Sequence, residues 1–112
     1  MFETPLTSEN LAIILTLLRR ELELLLGDQL EAVYLYGSRA RGDARPDSDI
    51  DILIVLNGDF NLFDMIEKTV DATADLSLEY NVVISTAFTS LDNFKSLQTP
   101  FLMNVRREGV QV

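Results

Sequence analysis

Residues 37–56 read GSRARGDARPDSDIDILIVL, and this stretch decides how the chain folds. Residues 37–48 contain two glycines, a proline and three arginines, a composition typical of a loop, with room for a helical turn after Ser38. Residues 49–56 are apolar on both faces beyond their first positions, which predicts a strand in the centre of a sheet. The preceding residues 31–36, EAVYLY, predict a neighbouring strand because β-branched and aromatic residues dominate them.

The regions on either side of this stretch predict helices and one further strand. Residues 7–26 and 62–79 carry apolar residues at helical spacing. The apolar positions are Leu11, Ile14, Leu15, Leu18, Leu22 and Leu25 in the first helix, and Leu62, Ile66, Val70 and Ala74 in the second. Residues 82–88 predict a third strand, Ser90 is expected to cap a short helix through Leu97, and the apolar tail is expected to dock on the core.

The order of these elements predicts the fold class. Helices alternate with strands, which indicates an α/β (α+β) fold with a small mixed β-sheet of three or more strands flanked by helices. A chain of 112 residues has room for one hydrophobic core, so a single domain over residues 1–112 is expected.

The composition restricts the chemistry. The chain has no cysteine, which excludes disulfides and thiolate metal sites, and no histidine, which removes the commonest general base. Any metal must therefore be held by oxygen atoms, which favours Mg²⁺ or Mn²⁺. The 9 basic and 18 acidic residues give a net charge of −9, which argues against bulk binding of nucleic acid. We expect no membrane association and a cytoplasmic location, since the sequence shows neither a bilayer-spanning apolar run nor a signal peptide at its start.

Two carboxylates stand at the start of the predicted central strand. Side chains alternate along a strand, so Asp49 and Asp51 should point to the same face, about 6.6 Å apart along the chain. Two such carboxylates repel each other and are costly to remove from water, and a bound divalent cation offsets that cost. Asp49 and Asp51 are therefore the candidate metal ligands and catalytic residues.

The loop before these carboxylates supplies candidate ligands for an anion. Gly37 allows a sharp turn and a close approach of a ligand, and Ser38 can offer its hydroxyl at the start of a helical turn. Arg39 and Arg41 can form charge-assisted hydrogen bonds with phosphate oxygens. Together with Ser48 these residues are the candidate nucleotide-binding residues.

Gly37-Ser38, followed after ten residues by Asp49-x-Asp51, resembles the signature of the polymerase-β-like nucleotidyltransferase superfamily. Residues 33–56 are similar to the minimal nucleotidyltransferase domains of bacteria and archaea, which are often the antitoxin partners of helical HEPN-type toxins. The resemblance implies that Ser38 contacts the triphosphate of ATP and that Asp49 and Asp51 hold Mg²⁺.

The third predicted strand departs from this family pattern. The resemblance implies a third carboxylate there, which helps to activate the acceptor hydroxyl, but residues 81–86, NVVIST, contain no acid. Glu79, Asn81 and Ser85 remain the candidates for that place.

The favoured function is transfer of a nucleoside monophosphate, AMP from ATP, with Mg²⁺ to a hydroxyl of a partner protein. The resemblance implies a HEPN-type partner and an antitoxin role. The alternative function is a nucleotide- and partner-binding subunit without catalysis, which the missing acid favours. A purely structural domain is the third interpretation, in which Asp49 merely caps a turn and Asp51 is exposed.

Overall fold

The computed structural model describes residues 6–112 as a four-stranded mixed sheet with helices on both faces. The elements in chain order are α1 (Ser8–Leu26), a 3₁₀ turn (Gly27–Gln29), β1 (Leu30–Tyr36), α2 (Ser38–Arg41), β2 (Ile50–Leu56), α3 (Leu62–Tyr80), β3 (Ile84–Ser90), α4 (Leu91–Ser96), α5 (Pro100–Glu108) and β4 (Val110–Gln111). The strands lie in the order β3-β2-β1-β4. The predicted fold class is confirmed. The prediction that the chain starts without a signal peptide concerns in part residues 1–5, which lie outside the described residues.

Strand β2 is the centre of the sheet, as its unbroken apolar run predicts. It pairs antiparallel with β1 and parallel with β3. Its side chains alternate between two cores: Ile52 and Ile54 pack with α1 and α3, whereas Leu53 and Val55 pack with α5. Because both faces are covered, these four side chains are fully buried.

Helix α1 packs on one face of the sheet through positions four residues apart. Thr7 caps its start by accepting a hydrogen bond from the backbone N–H of Asn10 (3.0 Å), and Gly27 ends it with a φ of 53°. The buried positions are Ile14, Leu18, Leu22 and Leu26. The prediction that Leu25 belongs to the apolar face was wrong, because Leu25 is 43% exposed. The buried positions repeat every four residues, so the residue that follows Leu22 on the buried face is Leu26.

The predicted apolar face of α3 was also wrong. Leu62, Ile66, Val70 and Ala74 are exposed, and the buried positions are Met65, Thr69 and Leu76. Thr69 can be buried because its hydroxyl donates to the carbonyl of Met65 (2.8 Å) and so leaves no unpaired polar group in the core. The helix therefore contacts the sheet with a less apolar stripe than the sequence indicates.

The C-terminal part of the chain covers the other face of the sheet. Strand β3 begins two residues later than predicted, because Asn81 ends α3 in the left-handed region with a φ of 53°. Ser90 caps α4 as predicted, and Thr99 and Pro100 begin α5. The tail docks as predicted through Leu102 and Val105, which are buried.

The sequence pattern did not reveal β4. This two-residue strand pairs antiparallel with β1 through Tyr34↔Gln111 and Leu35↔Val110. Among residues 6–112, no helix combines the length and the apolar character that crossing a membrane requires.

Substitutions at neighbouring positions of α3 should report which of its faces is buried. Met65 is 2% exposed, so Met65→Ala should lower the free energy of unfolding by about 2 to 5 kcal/mol. Ile66 is 43% exposed, so Ile66→Ala should lower it by less than about 1 kcal/mol. Urea denaturation of both variants measures the difference, and a larger loss at Ile66 would contradict the observed face.

Candidate active site

The candidate site lies where β1 ends and where β2 and β3 begin. Asp51 is half-buried and is flanked in register by Tyr36 on β1 and Ser85 on β3. Asp49 was predicted to lie inside the strand, but β2 begins at Ile50, so Asp49 occupies the last position of the loop and is exposed. The two carboxylates are nevertheless close enough for the charge of Asp49 to act on Asp51.

Gly37 lies directly against the Asp51 carboxylate. Its φ of 75° is in the region that favours glycine, and a Cβ atom built on it would collide with Oδ2 of Asp51. The turn between β1 and α2 therefore depends on glycine for two reasons, its backbone conformation and the space that the carboxylate occupies.

The local electrostatics make Asp51 costly to ionise without a counter-charge. Burial raises the pKa of Asp51, the negative charge of Asp49 raises it further, and the guanidinium of Arg41 lowers it. Burial, followed by the charge of Asp51, also raises the pKa of Tyr36, so its hydroxyl stays protonated. A site with this excess of negative charge fits a divalent cation, for which carboxylate oxygens are suitable ligands.

Arg41 is held between the loop and the C-terminal helix. Its guanidinium forms ion pairs with Asp43 (3.4 Å) and Glu108 (3.6 Å). The positive charge of Arg41 also acts on Asp51, where it lowers the pKa of the carboxyl. Sequence reasoning did not identify Glu108, since no local pattern links it to a residue far away in the chain.

Arg39 and Ser48 bond within the loop. The guanidinium of Arg39 donates to the carbonyl oxygens of Ser48 (2.9 Å from Nη2) and Arg45 (3.3 Å). The hydroxyl of Ser48 accepts a hydrogen bond from the backbone N–H of Arg45 (2.9 Å). These two candidate nucleotide-binding side chains therefore fix the turn that leads into Asp49.

Ser85 occupies the place beside the two carboxylates on β3. It lies opposite Asp51 in the sheet, and its hydroxyl donates to Oδ2 of Asp49 over 3.3 Å. Asn81 instead lines a cleft of about 250 Å³ together with Arg39 and residues 46–48 and 82–83. Glu79 lines a different cavity, between α1 and α3. Of the three candidates for the third position, the structure places Ser85 there.

Asp49 and Asp51 are the side chains that could hold a cation at this site. Within residues 6–112, no group of three or more acidic side chains lies close enough together to share a metal ion. The prediction that these two carboxylates form the metal site fits the geometry, with Ser85 as a neutral third neighbour.

Tyr36 connects the site to α5. Its ring makes an edge-to-face contact with Phe101, with the ring centres 5.2 Å apart and an angle of 81° between the planes. The tyrosine ring packs on the face of the sheet that carries Asp51.

Comparison with known proteins bears on this geometry. A family model described as "Nucleotidyltransferase domain" matches residues 15–99. Two similar proteins of Methanocaldococcus jannaschii are named "Putative protein adenylyltransferase MJ0141" and "Putative protein adenylyltransferase MJ0604". The first is 32% identical over 94 residues, which cover 84% of this chain and 90% of that protein. The second is 39% identical over 82 residues, which cover 72% and 76%.

A solved structure shares the fold. It is described as the crystal structure of a toxin–antitoxin with AMP-PNP, and it superposes with a TM-score of 0.61 at 21% identity. The match covers 94% of this chain and 72% of that one. The nucleotidyltransferase resemblance of residues 33–56 is confirmed by the family model, which spans them.

Replacement of Gly37 should damage the site more than an equal change elsewhere in the loop. Gly37→Ala adds a Cβ that collides with Asp51, so we expect Mn²⁺ affinity to fall at least about tenfold and stability to fall by about 1 to 3 kcal/mol. Gly42→Ala is the matched control, since Gly42 also has a positive φ (84°) but open space around it. Calorimetric titration and thermal unfolding measure both effects, and equal Mn²⁺ affinity in the two variants would contradict the contact.

Removal of the Asp51 charge should stabilise the metal-free protein. Folding raises the pKa of Asp51, so the folded state holds the proton of this carboxyl more tightly than the unfolded state does. The protonated carboxyl therefore favours the folded state at acid pH, and this stabilisation is lost as the pH rises through the raised pKa. Asp51→Asn should therefore raise the Tm by a few degrees at neutral pH in EDTA. The difference in Tm should shrink as the pH falls through the raised pKa of Asp51 and should be smallest below the ordinary pKa of aspartate, and a difference that grows with acid would contradict this.

Proposed function

The chain belongs to the nucleotidyltransferase domain family, and from that premise we propose that it transfers AMP from ATP, with Mg²⁺, to a hydroxyl of a partner protein. The observation that carries the proposal is the placement of Asp49 and Asp51 beside the Gly37 turn at one end of the sheet. The names of the two archaeal relatives favour adenylyl transfer to a protein over transfer to a small molecule.

Asp49 and Asp51 would hold the cation. Bound Mg²⁺ would neutralise the two carboxylates and the phosphate oxygens, which lowers the barrier to attack at phosphorus. Asp51 is fixed by its strand and by the Gly37 backbone, so it gives the site a rigid ligand, whereas Asp49 is exposed and is oriented by Ser85. Mn²⁺ has the same preference for oxygen ligands and should substitute.

The triphosphate would lie along the turn that begins α2. Gly37 lies against the Asp51 carboxylate, Ser38 begins the helical turn that follows it, and Arg41 supplies a positive charge that acts on Asp51. Arg39 and Ser48 contribute by holding the 45–48 turn in place, so their effect on nucleotide affinity is through the position of Asp49.

The acceptor would be a hydroxyl that another chain presents. Its oxygen attacks the α-phosphorus, a new P–O bond forms, pyrophosphate leaves and the hydroxyl proton is released. Residues 1–112 form a single minimal domain in this proposal. A HEPN-type helical protein as partner, with this chain as its antitoxin, agrees with the toxin–antitoxin structure that shares the fold. The cytoplasm, which supplies ATP, is the proposed location.

Ser85 favours a second candidate function. A neutral hydroxyl stands where a third carboxylate would help to take the acceptor proton, and serine is a poor base at neutral pH. The chain could then bind nucleotide and partner without transfer. The two functions share the cation site and differ in whether the acceptor is modified.

The intact masses of both chains distinguish these functions. We expect incubation with ATP, Mg²⁺ and a HEPN-type partner protein to add one AMP to the partner. Asp49→Asn should abolish the addition and leave the Tm in EDTA within a few degrees of wild type, because Asp49 is exposed. Unchanged transfer by Asp49→Asn would contradict the assigned ligand.

A complex that forms without any mass change would favour the binding subunit. In that case Ser85→Asp should introduce transfer, since it places a carboxylate beside Asp49 and opposite Asp51. Ser85→Asn is the matched control, because it adds similar volume without charge.

A further inference from the structure

Helix α3 carries a row of apolar side chains that the fold leaves in solvent. Phe63 is 79% exposed, and Leu62, Ile66 and Val70 are between 43% and 49% exposed. These four residues, here termed the α3 stripe, follow one another at helical spacing on the N-terminal half of the helix. A contiguous exposed apolar patch on a small domain marks a surface that another molecule covers.

The α3 stripe is not needed for the core. The helix already contacts the sheet through Met65, Thr69 and Leu76, and these positions form a separate face. A sequence that needed only to fold would gain nothing from a phenylalanine that is 79% exposed. The stripe is therefore available for an intermolecular contact.

The charged residues near the α3 stripe favour a positively charged partner. Helical spacing places the exposed acidic residues Asp64, Glu67 and Asp71 on the neighbouring face of α3, along the edge of the stripe that Phe63 forms. Lys68 is the one basic residue in the sequence of α3. An apolar row with carboxylates along one edge is complementary to an apolar surface with lysine or arginine along one edge.

This charge pattern argues against the other possible occupants. A second copy of the chain would place acidic rim against acidic rim, and each copy carries a net charge of −9. An anionic membrane surface would repel the same rim. We propose that the α3 stripe is the docking surface for a partner protein that presents a cationic amphipathic helix.

The position of the α3 stripe allows docking and transfer at the same time. The helix begins after the link that leaves the C-terminal end of β2, whereas Asp49 and Asp51 lie at the N-terminal end of that strand. A docked helix therefore leaves the carboxylates open. This proposal rests on the proposed function in one respect, which is that the docked protein would be the acceptor. The binding experiment that tests the docking surface needs no ATP.

A designed peptide tests the surface directly. The probe is an 18-residue labelled helix with leucine on one face and lysine on the other, titrated into the full chain and followed by fluorescence anisotropy and by amide chemical shifts. We expect the largest shifts within residues 62–70. The double variant Phe63→Ser with Ile66→Ser should weaken binding about tenfold or more, because it removes apolar contact without changing charge.

Matched controls separate this surface from general attraction. Leu78→Ser removes an apolar side chain that is 83% exposed near the other end of α3 and should change the affinity less than about twofold. A peptide with serine in place of leucine keeps the charge and should bind at least about tenfold more weakly.

Three outcomes would overturn the proposal. They are equal binding of the serine peptide, largest shifts outside residues 62–70, and sedimentation showing a dimer of the chain that the double variant dissociates. Loss of docking with transfer intact would count against the surface alone, whereas docking without transfer would count against the proposed function alone.

Discussion

The repulsion between two carboxylates at the start of a buried strand is the constraint on which the site depends. β2 is the central strand and is covered on both faces, and Asp51 near its start is half-buried. Burial and the neighbouring Asp49 both oppose its charge. The surrounding structure meets this constraint with a glycine that leaves space for the carboxylate and an arginine that partly compensates it. A cation bound between the two carboxylates, as in the proposed function, would relieve these unfavourable electrostatics.

The loop between β1 and β2 is held in place by hydrogen bonds and ion pairs of its own arginine side chains. Arg39 spans the turn to the carbonyls of Ser48 and Arg45, and Arg41 reaches across to Glu108 on α5. The loop is thereby connected both to the strand it enters and to the helix that packs against Tyr36. A short polar segment of high charge becomes an ordered part of the site, because its arginines bond to fixed backbone and to a helix.

Local sequence predicted the parts of this molecule that local forces determine. The glycine-serine turn, the central strand and the cap at Ser90 follow from residue type and spacing, and the structure confirms each of them. The buried face of α3 could not be predicted in this way, because one of its buried positions is Thr69. The hydroxyl of Thr69 bonds to a carbonyl of its own helix, which allows a polar residue to be buried where the sequence pattern favours an apolar one. Long-range features were also missed, since β4 and the partner of Arg41 depend on how distant segments meet. The sequence also could not decide which of Glu79, Asn81 and Ser85 lies beside the two carboxylates. The register of β3 against β2 decides it, because it places Ser85 opposite Asp51.

The direct contact between Gly37 and Asp51 also has a consequence for turnover in the cell. Because Gly37 lies against the Asp51 carboxylate, the charge that burial and Asp49 oppose acts directly on the turn between β1 and α2. A ligand that neutralises the two carboxylates would stabilise the folded chain by mass action. Under the proposed function that ligand is Mg²⁺ with nucleotide, so the fraction of unfolded chain that proteases can cut would rise as the supply of these ligands falls.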